Sequence, residues 1–451
     1  MKKKISILLL LAAVLQAAGQ SIPDSWSMED CINYAVEHNR SVLVQSRTNR
    51  NTHLNTIESY AAFLPNISAG AGAQFSFGRT IDPETNTYNT ISNFSNSYSV
   101  NASLPLFNCG ALVNNVRIAR IQEQMGKKSL EQIRDNIAIA TLEAYMNVLY
   151  YRELHCYRQN KAEESERQLN RLHTLYELGR RSAAELALVE AQCASDRQGL
   201  TETKAQLETA VLALRNSMNL PADAELDAWW LTVPKHAVTC HPDNTDDYGE
   251  ADRIFCRAET MMPATVNARH SIQMNRYSLQ QSIGNLFPSL SLSAGVSSGY
   301  FKTLERGLFD PFHKQLRNKL GYYVSINMSI PVFGRLGRVY GVKRQRNRLY
   351  NAIDDYEQQR DNLQHTIRQA VMERNSAALS VTALEKQQTA DSLAYTLIAR
   401  KFEEGLSDAI DLQTASTNLI RSQALLLQSR LTYLIKQLLT DYYNGQKLYT
   451  L

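Results

Sequence analysis

An internal repeat is the feature that most restricts how this 451-residue chain can fold. Three short motifs each occur twice, in the same order along the chain. The pairs are Phe63–Gly70 with Leu286–Ser293, Ser103–Phe107 with Ser329–Phe333, and Tyr176–Gly179 with Phe402–Gly405. Their members are separated by 223, 226 and 226 residues, respectively. Because such a constant offset is rarely accidental, the sequence predicts two homologous halves with the same order of elements.

Each half contains two segments in which apolar and small polar residues alternate. In the first segment the apolar positions are Ile67, Ala69, Ala71, Ala73, Phe75 and Phe77, with Ser, Gly or Gln between them. This alternation has the period of a β-strand. We therefore expect two hairpins, at about 66–106 and 289–332, whose connections are the polar stretches 78–97 and 299–321.

The alternating segments contain no charged side chain, which indicates their surroundings. A sheet exposed to water usually has Lys, Glu or Arg on one face, whereas a membrane barrel turns apolar side chains to lipid and small polar ones to its lumen. The pattern favours membrane-spanning strands, and the alternative is two hairpins that cap a soluble helical protein. Outside the first residues no run of about 18 apolar residues occurs, so an ordinary transmembrane helix is not expected.

Long helices are expected between the hairpins. The segments 110–178 and 337–404 contain no proline, and each could extend roughly 100 Å as one helix. Gly179 and Gly405 would end these helices, and returning helices are expected at 183–219 and 408–444. Each half also opens with a helix, at 28–60 and 264–283. Such long helices must pack side by side as a coiled coil.

Four strands cannot close a membrane barrel, and open sheet edges are not tolerated in hydrocarbon. Two copies would close a small eight-stranded barrel, and three copies would give twelve strands around a lumen. We favour the homotrimer. The expected fold class is mainly α with a transmembrane β-barrel, in which an internal two-fold repeat gives four strands per chain, continued by a coiled-coil helical tunnel.

The remaining segments have a distinct composition. Residues 1–19 form a signal peptide, with a basic start at Lys2–Lys4, an apolar stretch at Ile5–Val14 and small residues before Gln20. We divide the rest into a first repeat at 20–220, an equatorial insert at 221–263 and a second repeat at 264–451. Cleavage of the signal peptide would remove three lysines from a chain of net charge +4, so the mature chain lacks the excess of basic residues typical of nucleic-acid-binding proteins.

Candidate chemical sites are few. The six cysteines lie far apart, so we expect most to act as small buried apolar residues. A disulfide between Cys240 and Cys256 is possible for an exported protein. His236 and His241 with these two cysteines match no zinc-site spacing, so we expect no metal. No catalytic triad, phosphate-binding loop or catalytic carboxylate pair is recognisable, so we expect neither enzymatic activity nor a cofactor.

Several motifs occur together: Trp26–Ile32, the paired strand-start and strand-to-helix prolines, and the two Tyr/Phe-x-x-Gly tips. With these motifs the chain resembles the TolC-like outer-membrane efflux proteins over essentially its whole mature length. The resemblance implies a trimeric exit duct in outer-membrane lipid with a large periplasmic portion. It also implies recruitment by a periplasmic adaptor protein and an inner-membrane pump, in a tripartite efflux or type I secretion system.

The resemblance also implies roles for residues at the two tips. Asp411 matches an acid that family members place at the periplasmic constriction, whereas Ser407 and Thr414 depart from the family pattern. We expect the gate at Tyr176, Glu185, Phe402 and Asp411. Adaptor docking is expected at Gly179, Arg180, Arg181, Ser182, Gly405, Leu406, Ser407 and Asp408. Glu185 and Asp411 could equally serve as helix N-terminal acids, which interact favourably with free N–H groups.

One rival function remains open at this stage: a periplasmic coiled-coil structural or interaction protein without channel activity. The uncharged alternation of the four strands favours the channel. The sequence does not specify the substrate, because a wide polar tunnel needs no selective pocket.

Overall fold

The computed structural model describes residues 26–81, 87–221, 226–232, 247–304 and 310–449. The expected signal peptide therefore lies outside the described residues, as do His236, Cys240 and His241. Contacts divide the chain into two compact units. The helical unit comprises Met1–Val44, Leu130–Met262 and Arg360–Leu451, and the strand unit comprises Gln45–Ser129 and Pro263–Gln359.

The described chain is mainly helical, with one four-stranded antiparallel sheet in the order β1-β2-β3-β4. The strands are β1 Asn66–Ile81, β2 Tyr88–Phe107, β3 Ser289–Thr303 and β4 Gly321–Ser329. The helices are α1 Met28–His38, α2 Arg40–Ala61, α3 Ala111–Glu177, α4 Ala183–Met218, α5 Asp247–Met261, α6 Pro263–Gly284, α7 Phe312–Asn318, α8 Gly337–Glu403 and α9 Ala409–Tyr443. The four strands per chain were expected from the alternation.

The sheet in the strand unit has one apolar and one polar face. Ala69 pairs with Val100, Val100 with Val296, and Val296 with Tyr322, so one face is apolar across all four strands. Ser, Asn, Gln and Gly residues occupy most of the opposite face. The apolar side chains are exposed in the single chain, and Val324 is 76% exposed. A solvent-exposed sheet face of this composition requires another environment to cover it.

Strands β1, β2 and β3 are longer than expected from the sequence. The ladder between β1 and β2 continues to the pair Ile81 and Tyr88, so much of the stretch 78–97 is strand and not connection. Its Asn and Ser residues were assigned to a loop because they do not alternate with apolar residues: Ser92 and Asn96 share a face with Phe94, whereas Asn93 and Ser95 lie on the opposite face. Likewise β3 continues to Thr303, and the stretch 299–321 contains α7.

Helix α7 covers the part of β3 that extends beyond β4. The strand β4 begins at Gly321, opposite Ser297, so the later residues of β3 pair with no described strand on that side. Gln315 of α7 takes the place of a pairing strand. Its side chain accepts from the Phe301 N–H at 3.1 Å and donates to the Phe301 carbonyl at 3.0 Å. Both backbone groups are thereby satisfied, as a buried strand edge requires.

Four helical segments of the strand unit lead into and out of the sheet at the same end. Helices α2 and α6 precede β1 and β3, and α3 and α8 follow β2 and β4. The hairpin connections consequently lie at the opposite end of the sheet. Thr56 of α2 donates to the Ala119 carbonyl of α3 at 3.3 Å, and His53 lies 3.3 Å from Glu123.

The helical unit is built around a buried cluster on α3. Leu142, Tyr145 and Leu149 follow the spacing of one helix face and pack with side chains of α1, α4 and α9. The Tyr145 hydroxyl donates to the Thr232 carbonyl at 2.6 Å, and Arg152 donates to the Leu231 carbonyl at 2.7 Å. Burial raises the pKa of Tyr145 to about 12, so the hydroxyl remains protonated as a donor.

The entry helix of each half differs from the expectation. The stretch 28–60 is two helices, because Asn39 adopts extended backbone angles between α1 and α2. Helices α5 and α6 form the same kind of pair in the second half, separated only by Met262. Helix α1 packs on α4, and α5 packs on α9. The expected insert at 221–263 therefore contains α5, which corresponds in order to α1.

The cysteines only partly follow the expectation. Cys31 and Cys193 are buried, and burial raises the pKa of the Cys31 thiol to about 12. Cys109 and Cys156 are half-buried, and Cys256 is exposed. The proposed partner of Cys256, Cys240, lies outside the described residues. No described helix is both long and apolar enough to cross a membrane.

A substitution at Gly295 of β3 tests how tightly the polar face of the sheet is packed. A Cβ atom at this position would overlap the Tyr323 ring and lie 2.7 Å from Asn101 Oδ1. The Tyr323 hydroxyl donates to that same oxygen at 3.0 Å. Gly295→Ala should therefore destabilise the protein by about 1–3 kcal/mol, because the ring must move.

Gly321→Ala is the matched control, since a Cβ there would be 3.9 Å from its nearest neighbour, Ser297 Oγ. We expect it to change stability by less than about 0.5 kcal/mol. Thermal unfolding of both variants in one detergent measures the difference. Equal midpoints would show that the Tyr323 ring does not constrain Gly295.

Candidate functional site at the helical hairpin tips

The first tip joins α3 to α4 in the helical unit. Gly179 has φ +67, a left-handed conformation that costs other residues roughly 1 kcal/mol or more. The Arg180 N–H donates to the Leu175 carbonyl at 2.9 Å, and the Gly179 N–H donates to the Tyr176 carbonyl at 2.9 Å. This is the Schellman arrangement, which satisfies the last carbonyls of the long helix.

The second tip repeats the same geometry between α8 and α9. Gly405 has φ +77, and its N–H donates to the Phe402 carbonyl at 3.1 Å. The Leu406 N–H donates to the Lys401 carbonyl at 2.8 Å. Both glycines predicted as helix stops therefore end a helix in the left-handed conformation.

The residues after the glycines begin the returning helices. Ser182 and Glu185 form a capping box, in which the Glu185 N–H donates to Ser182 Oγ at 3.2 Å and the Ser182 N–H donates to Glu185 Oε2 at 3.4 Å. In the second tip Asp408 is the N-cap and accepts from the Ala409 N–H at 2.6 Å. Asp411 is exposed and accepts from the Ser407 hydroxyl at 3.0 Å.

Arg181 connects the two tips within one chain. Its Nη1 lies 3.5 Å from Glu185 Oε1, and its guanidinium carbon lies 5.5 Å from the centre of the Phe402 ring. We name this group of Arg181, Glu185 and Phe402 the tip clasp. A cation over an aromatic ring contributes about 0.5–1 kcal/mol at exposed sites.

Comparison with known proteins identifies the family. The sequence profile described as "Outer membrane efflux protein" matches residues 35–220 and 258–438, which together make up most of the chain. The chain belongs to the outer membrane efflux protein family. The two matched ranges begin within α1 and α5 and support the two homologous halves. No protein of curated function matches the sequence.

Solved structures of outer-membrane channels share the fold of this family member. The CmeC outer membrane channel of Campylobacter jejuni is 13% identical with TM-score 0.78, covering 93% of this chain and 85% of that one. VceC of Vibrio cholerae is 15% identical with TM-score 0.76, covering 93% and 96%. The Neisseria gonorrhoeae MtrE channel, in its open state, is 18% identical with TM-score 0.72, covering 92% and 88%.

The family match confirms three predictions from the sequence: the TolC-like family, the outer-membrane location, and the fold class of paired hairpins with long helices. The structure brings Arg181, Glu185 and Phe402 together. The Tyr176 hydroxyl and the Asp411 carboxylate have no contact with that clasp among the described residues.

From the sequence, Arg181 was expected only in the docking set, and its contact with Phe402 was not predicted. One signal was available, because Arg181 stands four residues before Glu185, and opposite charges at this spacing around a helix start can form an ion pair. The contact with Phe402 joins residues 221 positions apart in the chain, so no local pattern could indicate it.

A buried polar layer behind the tips was also missed. Asp196 of α4 is 5% exposed and accepts from Ser165 of α3 and, at 2.8 Å, from Gln192. Gln192 in turn accepts from Gln413 of α9. Buried polar groups destabilise a fold unless they are paired, so this layer fixes how α3, α4 and α9 align along their lengths. Polar residues four apart at 192 and 196 were the available signal.

Asp196→Ala tests the polar layer. The substitution leaves Ser165 and Gln192 without their buried acceptor, and each lost partner costs roughly 1–3 kcal/mol. We expect a clear fall in the thermal unfolding midpoint, followed by circular dichroism. Glu190→Ala, which removes an exposed acid from the same helix, should shift stability by less than about 0.5 kcal/mol. Equal shifts for both variants would contradict the layer's structural role.

Proposed function

We propose that this protein is the outer-membrane exit duct of a tripartite efflux or type I secretion system. Three copies would form a passive conduit from the periplasm to the exterior, exported by the segment 1–19. The observation that supports this most strongly is the sheet of the strand unit, which has one apolar face, one polar face and two unpaired edges.

The edges supply the argument for assembly. Strands β1 and β4 each pair with only one described strand, so a row of backbone N–H and C=O groups on each is unpaired. Each such group costs several kcal/mol in hydrocarbon, which excludes a lone sheet there. Pairing β4 of one copy with β1 of the next satisfies both rows. Three copies give twelve strands and a lumen, whereas eight strands would be filled by their own side chains.

The two sheet faces fit this assembly. The apolar face, with Val100, Val296 and Ile326, would contact lipid. The opposite face, with Ser99, Ser297 and Asn327, would line an aqueous lumen, as in membrane barrels generally. The solved relatives are described as outer-membrane channels, which agrees with this orientation.

The tips of the helical unit are the proposed gate. The clasp would hold the two hairpins of each chain together and so restrict the periplasmic opening. Asp411 is exposed at the second tip and would place three carboxylates at the constriction, where such rings attract cations. Tyr176 and Phe402 would line the same opening.

The tips are also the proposed docking surface for a periplasmic adaptor, which would link the duct to an inner-membrane pump. Leu178 and Leu406 are 64% and 73% exposed, and large exposed apolar side chains of this kind indicate a protein contact. Leu406 belongs to the expected docking set, which spans Gly179–Ser182 and Gly405–Asp408, and Leu178 directly precedes the first of these ranges. No specific observation favours the rival, a structural coiled-coil protein, because its sheet would expose the apolar face to water.

Arg181→Ala tests the clasp. Loss of the ring contact and the ion pair should weaken closure by about 1 kcal/mol per chain, and therefore raise the open probability roughly fivefold per chain. The measurement is single-channel conductance of the purified protein in planar bilayers.

Arg180→Ala is the control, because it removes the same charge one residue earlier. The Arg180 side chain has no hydrogen bond or ion pair with a described residue. The conductance of the Arg180→Ala variant should match that of the unmodified protein. Identical gating in the two variants would contradict the clasp, and absence of any conductance in the unmodified protein would contradict the duct.

A further inference from the structure

Helix α7 lies against the apolar face of the sheet. The Phe312 ring lies 5.3 Å from the Tyr300 ring and 6.3 Å from the Tyr98 ring. Ser298 donates through its hydroxyl to the Leu316 carbonyl at 2.6 Å. Tyr98, Ser298 and Tyr300 occupy the same face as Val100 and Val296, as their register shows. A polar helix thus covers a face that would otherwise contact only lipid.

The helix and its surroundings are basic. Lys302, Arg317 and Lys319 are exposed, and none of them forms an ion pair with an acid among the described residues. Lys319 donates to Gln315 Oε1 at 2.8 Å and lies 5.8 Å from the centre of the Phe301 ring, and these two contacts hold it at the edge of β3. Lys314 is paired with Asp310 at 2.7 Å and adds no net charge. Glu305 and Arg306 in the preceding connection cancel in charge.

A groove crosses β1, β2 and β3 and reaches Leu320, which follows α7 in the chain. Its volume is about 440 Å³, and Ala69, Ala71, Tyr98, Val100, Val296 and Leu320 line it. The alanines leave room that larger side chains on β1 would fill. Leu320 directly follows Lys319, so the apolar groove meets the basic segment at its end.

An anionic lipid would fit both features, the apolar groove and the basic residues that have no acidic partner among the described residues. An anionic lipid has acyl chains for a groove and a phosphate for cations, and basic residues near a membrane surface attract such headgroups. The basic segment belongs to the hairpin-connection end of the sheet, away from α2, α3, α6 and α8. Tyr98, Tyr300 and Phe312 there match the aromatic residues that favour the membrane interface.

We infer that α7 and this groove form a binding site for one phosphorylated anionic lipid per chain, with Arg317 and Lys319 at the phosphate and an acyl chain along Ala69, Ala71 and Val296. The inference rests on the proposed function, because it requires the apolar face to contact lipid at the exterior end of the duct. A second copy of the chain is a poorer occupant, since copies would meet at the edges of β1 and β4.

Native mass spectrometry of the detergent-extracted protein tests the site with phosphatidylglycerol, phosphatidylcholine of equal chain length, and inorganic phosphate as probes. We expect up to three phosphatidylglycerol molecules per trimer, bound at least about tenfold more tightly than phosphatidylcholine. The double variant Arg317→Glu/Lys319→Glu should lose this preference, and Arg317→Lys/Lys319→Arg should retain it. Ala71→Phe, which fills the groove, should weaken both lipids.

Each outcome separates the two proposals. Equal binding of both lipids, or no effect of charge reversal, would overturn the headgroup site even while the protein forms channels. Competition by inorganic phosphate at concentrations similar to those of the lipid would show a simple anion site and overturn the lipid site. If the unmodified protein forms neither trimers nor channels, the proposed function fails and this inference fails with it.

Discussion

The unpaired edges of one four-stranded sheet determine most of what this protein must do. Backbone groups on β1 and β4 need partners, and lipid supplies none. The apolar face of the sheet, which continues across all four strands, needs lipid and not water. Both needs are met together only when sister copies close the sheet into a barrel. Assembly is therefore a requirement of the strand unit and not an addition to a finished fold.

In the helical unit, the long helices must be held at one position along their axes. An apolar stripe alone specifies a seam but not the position along it. Buried pairs such as Asp196 with Ser165, and Arg152 with backbone carbonyls, supply that position because each can be satisfied at only one alignment. The capped tips at Gly179 and Gly405 then end the helices at fixed residues.

The sequence allowed the fold to be predicted wherever a local period or a fixed residue determines structure. The strand alternation after Pro65 and the left-handed glycines are of this kind. The prediction failed where contacts between distant residues determine the structure. The polar residues at 88–97 belong to a strand because β1 pairs with them, and α7 was missed because it packs against β3. The tip clasp likewise depends on Phe402, which is far from Arg181 in sequence. Only the ion pair between Arg181 and Glu185 could be predicted from the local sequence.

The number of chains in the membrane-extracted particle tests the central claim most directly. Native mass spectrometry, with detergent removed in the gas phase, gives that number without reference to any relative. The account predicts three copies, because twelve strands are needed to pair every edge and leave a lumen. A membrane-extracted particle of one or two chains would contradict it.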